Sequence, residues 1–205
     1  MILIGQYDSP FVRRVGIALT LYGMAFEHRP WSVFGDAERL AALNPLMRVP
    51  TLVLDDGFAM TDSHMMLDHL DSLVPDPMFP RAEPQRRVAL WRATYATGLA
   101  EKCVSLFYER RLHDTVSPVW EARCRTQIGA VLAVLEADRA TCPGPYFTPR
   151  IGHEDVALAC TIRFATEALP GVVDMAAHPA LHAHCAGLEA SAPFQQIRQP
   201  FTAPA

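Results

Sequence analysis

The chain has 205 residues, a formal charge of −4 from 18 basic and 22 acidic side chains, and half of its residues are hydrophobic. That length allows one large domain or two small ones, with ample apolar material for a buried core. The composition excludes intrinsic disorder, and the mild acidity argues against a protein whose main task is gripping nucleic acid.

Short apolar runs alternate with helical patterns through the first eighty residues. Met1–Ile4 reads as a buried strand closed by Gly5. Phe11, Val15, Ala18, Leu19 and Tyr22 then recur at helical spacing, with Ser9 at the N-cap, Pro10 at the first helical position and Gly23 as the stop. Ala25–Pro30 predicts a second strand, and Ala37–Leu43 a short helix halted by Asn44-Pro45. Thr51–Leu54 and Phe58–Met60 flank Asp55-Asp56-Gly57, a strong hairpin signal. Thr61-Asp62-Ser63 opens another helix that runs to about Leu73. The order is βαβα followed by ββα.

The stretch PDPMFPRAEP, from Pro75 to Pro84, cannot continue a helix and reads as a stiff connection. Nothing after it resembles a strand. Glu83 to about Leu112 predicts a long helix, with Val88, Trp91, Tyr95, Leu99 and Leu106 on its apolar side. Ser117-Pro118 starts a second, whose Trp120, Cys124, Ile128, Val131, Leu132 and Leu135 give the cleanest amphipathic pattern. A third spans about Gly152 to Ala168, and a fourth follows His178-Pro179. The expected division is an α/β domain over residues 1–76, a linker over 77–83 and an all-α domain over 84–205.

The opening MILIGQYDSP lacks the basic segment and apolar length of a signal peptide, and no apolar run approaches the ~18 residues of a membrane span. Five cysteines, widely spaced and never in C-x-x-C, fit reduced thiols rather than a disulfide framework or a structural zinc site. A soluble cytoplasmic protein is expected. His178, His182 and His184 do not make a metal set, because 184 points nearly opposite 182 on a helix. They read as surface or packing histidines.

Four segments in order carry a resemblance: Tyr7-Asp8-Ser9-Pro10-Phe11-Val12-Arg13, Asn44 through Leu52 with Val49-Pro50 entering a strand, Thr61-Asp62-Ser63, and Asp155 with the later His178-Pro179-Ala180-Leu181. Over nearly its full length the chain resembles a cytosolic glutathione S-transferase of the bacterial type with serine in the thiol-activating position. The implied fold is a thioredoxin-like domain followed by a helical bundle. Glutathione is the implied co-substrate, with no metal, and a homodimer is implied, Met65–Asp68 of one copy meeting Arg86–Trp91 of the other.

The resemblance also implies roles residue by residue. A cis Val49-Pro50 bond turns the Val49 backbone toward the cysteinyl part of glutathione. Asp62 and Ser63 hold the γ-glutamyl amine and carboxylate, and Arg48 meets the glycyl carboxylate. Helix N-termini suit carboxylates, although Asp62 and Ser63 equally read as ordinary caps. Met47 stands where glycine is common, and His64-Met65-Met66 replaces small and branched residues, a departure expected to alter the dimer interface more than the ligand site. Gly152 stands where Ser or Thr usually caps, and Asp155 is assigned to folding. Arg13, one turn into the first helix, reads as a surface or domain-interface charge, the alternative being a source of positive potential near the thiolate.

Ser9 is the candidate for chemistry. A free thiol has a pKa of about 8.5, and lowering it by one to two units requires roughly 1.4–2.7 kcal/mol of anion stabilisation. One charge-assisted hydrogen bond of about 1.5–3 kcal/mol can supply that. Tyr7 is the alternative hydroxyl. No cysteine precedes Cys103, so mixed-disulfide chemistry at position 9 is not indicated. Lys102, Phe107 and Tyr108 are candidates for the wall of an apolar second-substrate pocket in a cleft between the halves. Attack of the glutathione thiolate on a small electrophilic or apolar molecule is the favoured function, detoxification in kind. The alternatives are a glutathione-dependent disulfide or peroxide reductase, an isomerase (whose usual Ser-Ser-Cys loop is missing), and a non-catalytic binding or regulatory protein.

Overall fold

In the computed structural model the opening apolar run becomes β1 (Ile2–Ile4), with Leu3 and Ile4 fully buried. Next come α1 (Pro10–Leu21), β2 (Glu27–Arg29), α2 (Ala37–Ala41), β3 (Thr51–Val53), β4 (Ala59–Thr61) and α3 (Ser63–Ser72). The sheet order is β2-β1-β3-β4, with β1 parallel to β2 and antiparallel to β3, and β3 antiparallel to β4. This is the thioredoxin-like arrangement. Ser9 and Pro10 start α1 as their chemistry dictates, and Asp62 caps α3. Val12, Val15 and Leu19 of α1 and Met66, Leu67 and Leu70 of α3 are almost wholly buried, as is Leu52. Each such side chain contributes roughly 1.5–3 kcal/mol by leaving water.

Residues 1–203 are described, and they form two compact units: 1–78 together with the segment from Ser191 onward, and 79–190. The stretch expected as one all-α block from 84 to 205 therefore divides at Ala190. Beyond it, α8 (Ala192–Gln196) packs on α1. Arg13 fastens this segment; it is 1% exposed, buried within the first unit rather than the surface or domain-interface charge expected. Its Nε donates to the Ile197 carbonyl at 2.8 Å and its Nη2 to the Phe194 carbonyl at 3.0 Å, while the guanidinium lies 5.6 Å from the Phe194 ring centroid.

The second unit holds α4 (Gln85–Leu112), α5 (Pro118–Ala140), α6 (His153–Ala168) and α7 (Pro179–Glu189), with a short 3-10 turn at Met175–Ala177. The buried face of α4 keeps Leu99 and Leu106 of the expected side, but its N-terminal half is turned to the alanines. Ala89, Ala93, Ala96 and Ala100 are buried, followed by Cys103 and Leu106, whereas Val88, Leu90 and Trp91 are each more than a third exposed. Small side chains allow the close approach of α6, which is buried along most of its length. Phe79, inside the proline-rich connection, is also core: it packs with Ala89 and Ala93, and its ring lies 4.6 Å from that of His153.

The start of α6 combines a folding device with a buried acid. Asp155 accepts from the N–H groups of Gly152 at 2.7 Å and Phe147 at 2.9 Å, the folding role expected of it. Glu154, 1% exposed, has no side-chain hydrogen-bond partner on either carboxyl oxygen among the described residues. Burial, and then the neighbouring Asp155 charge, push its pKa up to about 7. Its carboxyl group occupies the space a side chain at position 152 would need, with Cδ only 2.7 Å from an ideal Cβ there. That explains glycine at this cap. His184 is a packing histidine: Nδ1 faces Arg139 Nε and the Pro145 carbonyl, each at 3.0 Å, and burial together with Arg139 lowers its pKa to about 4.

Candidate functional site

The strand register gathers the sequence-predicted residues of the first unit. Ile4 pairs with Thr51, and Thr51 with Thr61, so one rung runs across β1, β3 and β4. Ser9 lies just beyond β1, Val49-Pro50 just before β3, and Asp62-Ser63 just after β4, all at the same end of the sheet. Gly5 permits that closeness: a Cβ there would lie 2.8 Å from Val49 Cβ, and its φ of +129° suits glycine. Asn44, only 3% exposed, ties the segments together. Its amide donates to the Arg48 carbonyl at 3.2 Å, Thr51 Oγ1 at 3.1 Å and Thr61 Oγ1 at 3.0 Å.

Each candidate presents an unused polar group. Ser9 Oγ accepts the α1 capping bond from the Val12 N–H at 3.5 Å, which occupies a lone pair and leaves the O–H proton without an acceptor among the described residues. Capping and ligand binding are therefore compatible in one side chain. The Val49-Pro50 bond is cis, and the Val49 N–H and C=O have no hydrogen-bond partner among the described residues. Asp62 has a φ of +69°, uncommon for a residue with a side chain. Its Oδ1 accepts from the His64 N–H at 2.7 Å and the Met65 N–H at 3.4 Å, and Oδ2 accepts no hydrogen bond from the described residues. Burial raises the Asp62 pKa, but these bonds and the His64 charge outweigh it and hold the carboxyl below its ordinary value.

Ser63 is 4% exposed. Its hydroxyl accepts from Arg14 Nε at 3.1 Å and Nη2 at 2.8 Å. Neither its backbone N–H, at the first position of α3, nor its O–H has an acceptor among the described residues. Two donors thus converge at a helix start, an arrangement that suits a carboxylate. Arg48 is exposed, so its guanidinium is free to meet an anion from solvent. Tyr7 sits differently. Its ring stacks on His28 with centroids 3.7 Å apart and packs against Gly16 in the middle of α1, and burial pushes its pKa up to about 12.

Two contacts escape sequence reasoning. Arg14 has a faint signal, since it and Arg13 are the only charges in an otherwise apolar helix. His64 Nδ1 lies 3.3 Å from Asp62 Oδ1, so the departure at 64 reaches the Asp62 carboxyl as well as the helix surface. In the second unit Phe107 is buried, its ring edge-on to Phe164 of α6 at 6.2 Å, while Tyr108 is half-exposed beside it. Among the described residues no group of three or more His, Cys, Asp or Glu is placed to hold a metal ion, and no helix is long and apolar enough to cross a membrane.

Comparison with known proteins places this geometry in a family. The family model for the glutathione S-transferase N-terminal domain matches residues 3–78, and that for the glutathione S-transferase C-terminal domain matches residues 118–187. An uncharacterized GST-like protein of Escherichia coli, YibF, is 29% identical over 167 residues, covering 80% of this chain and 81% of its own. The solved structure of a Methylobacterium radiotolerans glutathione S-transferase, in complex with glutathione sulfonate, superposes with a TM-score of 0.89 at 27% identity. It covers 100% of this chain and 98% of its own. A Pseudomonas fluorescens glutathione transferase family member with bound glutathione gives 0.85 at 28% identity, covering 98% and 99%.

Proposed function

Because the chain belongs to the glutathione S-transferase family, we propose that it binds glutathione at the Ser9, Val49 and Asp62-Ser63 end of the sheet and activates its thiol for transfer. The observation that carries this is the set of unsatisfied groups gathered there: the Ser9 O–H, the Val49 N–H and C=O, Asp62 Oδ2, and the Ser63 N–H and O–H. They match glutathione group by group. The Val49 backbone pairs with the cysteinyl peptide as a strand would, Asp62 takes the γ-glutamyl ammonium, and Ser63 takes the adjacent carboxylate. Arg48 meets the glycyl carboxylate.

The Ser9 O–H donates to the sulfur. It does not remove the thiol proton, which passes to solvent, but it stabilises the anion that remains, aided by the N-terminus of α1. The thiolate then attacks an electrophilic carbon. A carbon–sulfur bond forms, and the electron pair leaves with the departing group or moves onto an adjacent electron-withdrawing group. Tyr7 is a poor substitute, because its ring is buried, stacked on His28 and packed against Gly16. Phe107 and Tyr108 contribute apolar surface for the acceptor, Tyr108 being the more accessible. A second copy of the chain covers exposed apolar side chains in each unit, Met65 in the first and Val88, Leu90 and Trp91 in the second. Charged substitution at Met65 and Trp91 is expected to yield a monomer by sedimentation.

The decisive measurement is a pH titration of thiolate absorbance for glutathione bound to the wild type and to Ser9→Ala. The wild type is expected to lower the thiol pKa by about one to two units, and the variant to return it toward about 8.5. Bound glutathione with the same lowered pKa in both proteins would refute the role of Ser9. Binding with no shift in either would point to a binding protein.

A further inference from the structure

We propose that Arg14 is a positioning residue that makes Ser63 an obligate donor and thereby selects a carboxylate at the start of α3. The proposal rests on the assignment of the γ-glutamyl carboxylate to Ser63. A serine hydroxyl has one proton and two lone pairs. Arg14 Nε and Nη2 both donate to the Ser63 oxygen, at 3.1 and 2.8 Å, so both lone pairs are taken. The hydroxyl can make only one further hydrogen bond, and only by donating.

Three features make this a device and not simply a packing contact. Arg14 and Ser63 are 2% and 4% exposed, so water does not compete freely for the fork. The guanidinium is planar and presents two parallel donors, which fixes the hydroxyl oxygen in two directions, as an ammonium group would not. Ser63 is also the first residue of α3, so its N–H is an orphan donor. With its O–H held as a donor, both groups of one residue present hydrogen to the ligand, and a carboxylate accepts from both. A ligand offering a donor there would find no acceptor and would leave its own polar group unpaired. Arg14 thus acts on ligand choice through Ser63 without touching the ligand itself.

The test is a cycle between protein and ligand. Dissociation constants are measured by calorimetry for glutathione and for γ-aminobutyryl-cysteinyl-glycine, which lacks the γ-glutamyl α-carboxylate and is identical at the thiol and glycyl ends. The proteins are the wild type, Ser63→Ala, Arg14→Gln and the double variant. The wild type is expected to favour glutathione by about tenfold or more, the scale of a hydrogen bond to a charged group. Ser63→Ala and Arg14→Gln should each erode that preference while changing affinity for the analogue little, and the double variant should be no worse than Ser63→Ala.

If Arg14→Gln weakens both ligands equally and keeps the wild-type preference, Arg14 is a packing residue and the proposal is overturned. If Arg14→Gln fails to fold, Arg14→Lys, which keeps the charge and loses the fork, is read in the same cycle. Loss of preference then supports positioning, and a retained preference overturns it. Failure of the wild type to bind glutathione at all would instead refute the underlying assignment. The two failures are therefore distinguishable.

Discussion

Replacing Glu154 with glutamine keeps its size and removes its charge, and the structure sets what that does to stability. The carboxyl is 1% exposed, neither oxygen has a hydrogen-bond partner among the described residues, and burial, then the Asp155 charge, lift its pKa from 4.5 to about 7. The folded state therefore holds a proton that the unfolded chain releases between those values. Stability from this group is fully present below pH 4.5 and is lost as pH rises through about 7, at up to about 1.4 kcal/mol per pH unit. His184 acts in the opposite direction. Its pKa is lowered to about 4, so its contribution is present above 6.5 and lost as pH falls. Asp155, raised to about 6 by burial against its backbone hydrogen bonds, slopes the same way as Glu154. Because these terms overlap, the readout is the difference between variant and wild type, which removes groups distant from position 154, such as His184, and reports the coupled Glu154–Asp155 pair. In urea unfolding from pH 5 to 8.5, Glu154→Gln is expected to gain about 2–3 kcal/mol relative to wild type. A difference that stays flat across that window would refute a neutral buried acid at position 154.

Three further substitutions test other parts of the fold. Arg13→Ala leaves the Phe194 and Ile197 carbonyls without their buried donor, and is expected to cost about 3 kcal/mol in urea unfolding. It should also speed proteolysis after residue 190, and an unchanged cleavage rate would contradict the tethering role. Gly152→Ser would ordinarily improve a cap by a few tenths of a kcal/mol, but here its Cβ meets the Glu154 carboxyl. A loss of about 1–2 kcal/mol is expected, relieved in a Glu154→Ala background, and both are read from chemical denaturation. Met47 holds a φ of +49° with its side chain 47% exposed. Met47→Gly should therefore raise the melting temperature by about 2–4 °C, as measured by calorimetry.

Local chemistry was enough to read the order of elements and most of their boundaries. Ser9-Pro10 and Ser117-Pro118 start helices because a hydroxyl caps and a proline lacks only an N–H that would be orphaned. Asp55-Asp56-Gly57 makes the hairpin because glycine tolerates its φ of +88°. The candidate site residues Ser9, Val49, Asp62 and Ser63 were legible through the family resemblance, and each sits beside a strand end or a helix start, where unpaired backbone groups are expected. What those groups share a site with was decided by tertiary structure. The Ile4, Thr51 and Thr61 rung exists only once β3 pairs antiparallel to β1, and no local pattern specifies that.

The same holds for the interior. Sequence spacing favours Trp91 as core on α4, yet the alanine face is buried, because the depth available was set by the approach of α6. Arg13 reads as a surface or domain-interface charge, and nothing in the local pattern predicts the burial of Arg14 beside it. Their burial depends on carbonyls at 194 and 197 and on a hydroxyl at 63, all distant in sequence and brought within about 3 Å only by the fold. A buried cation is tolerable only where such partners wait, and their positions are a property of the packed chain, not of the segment that carries the charge.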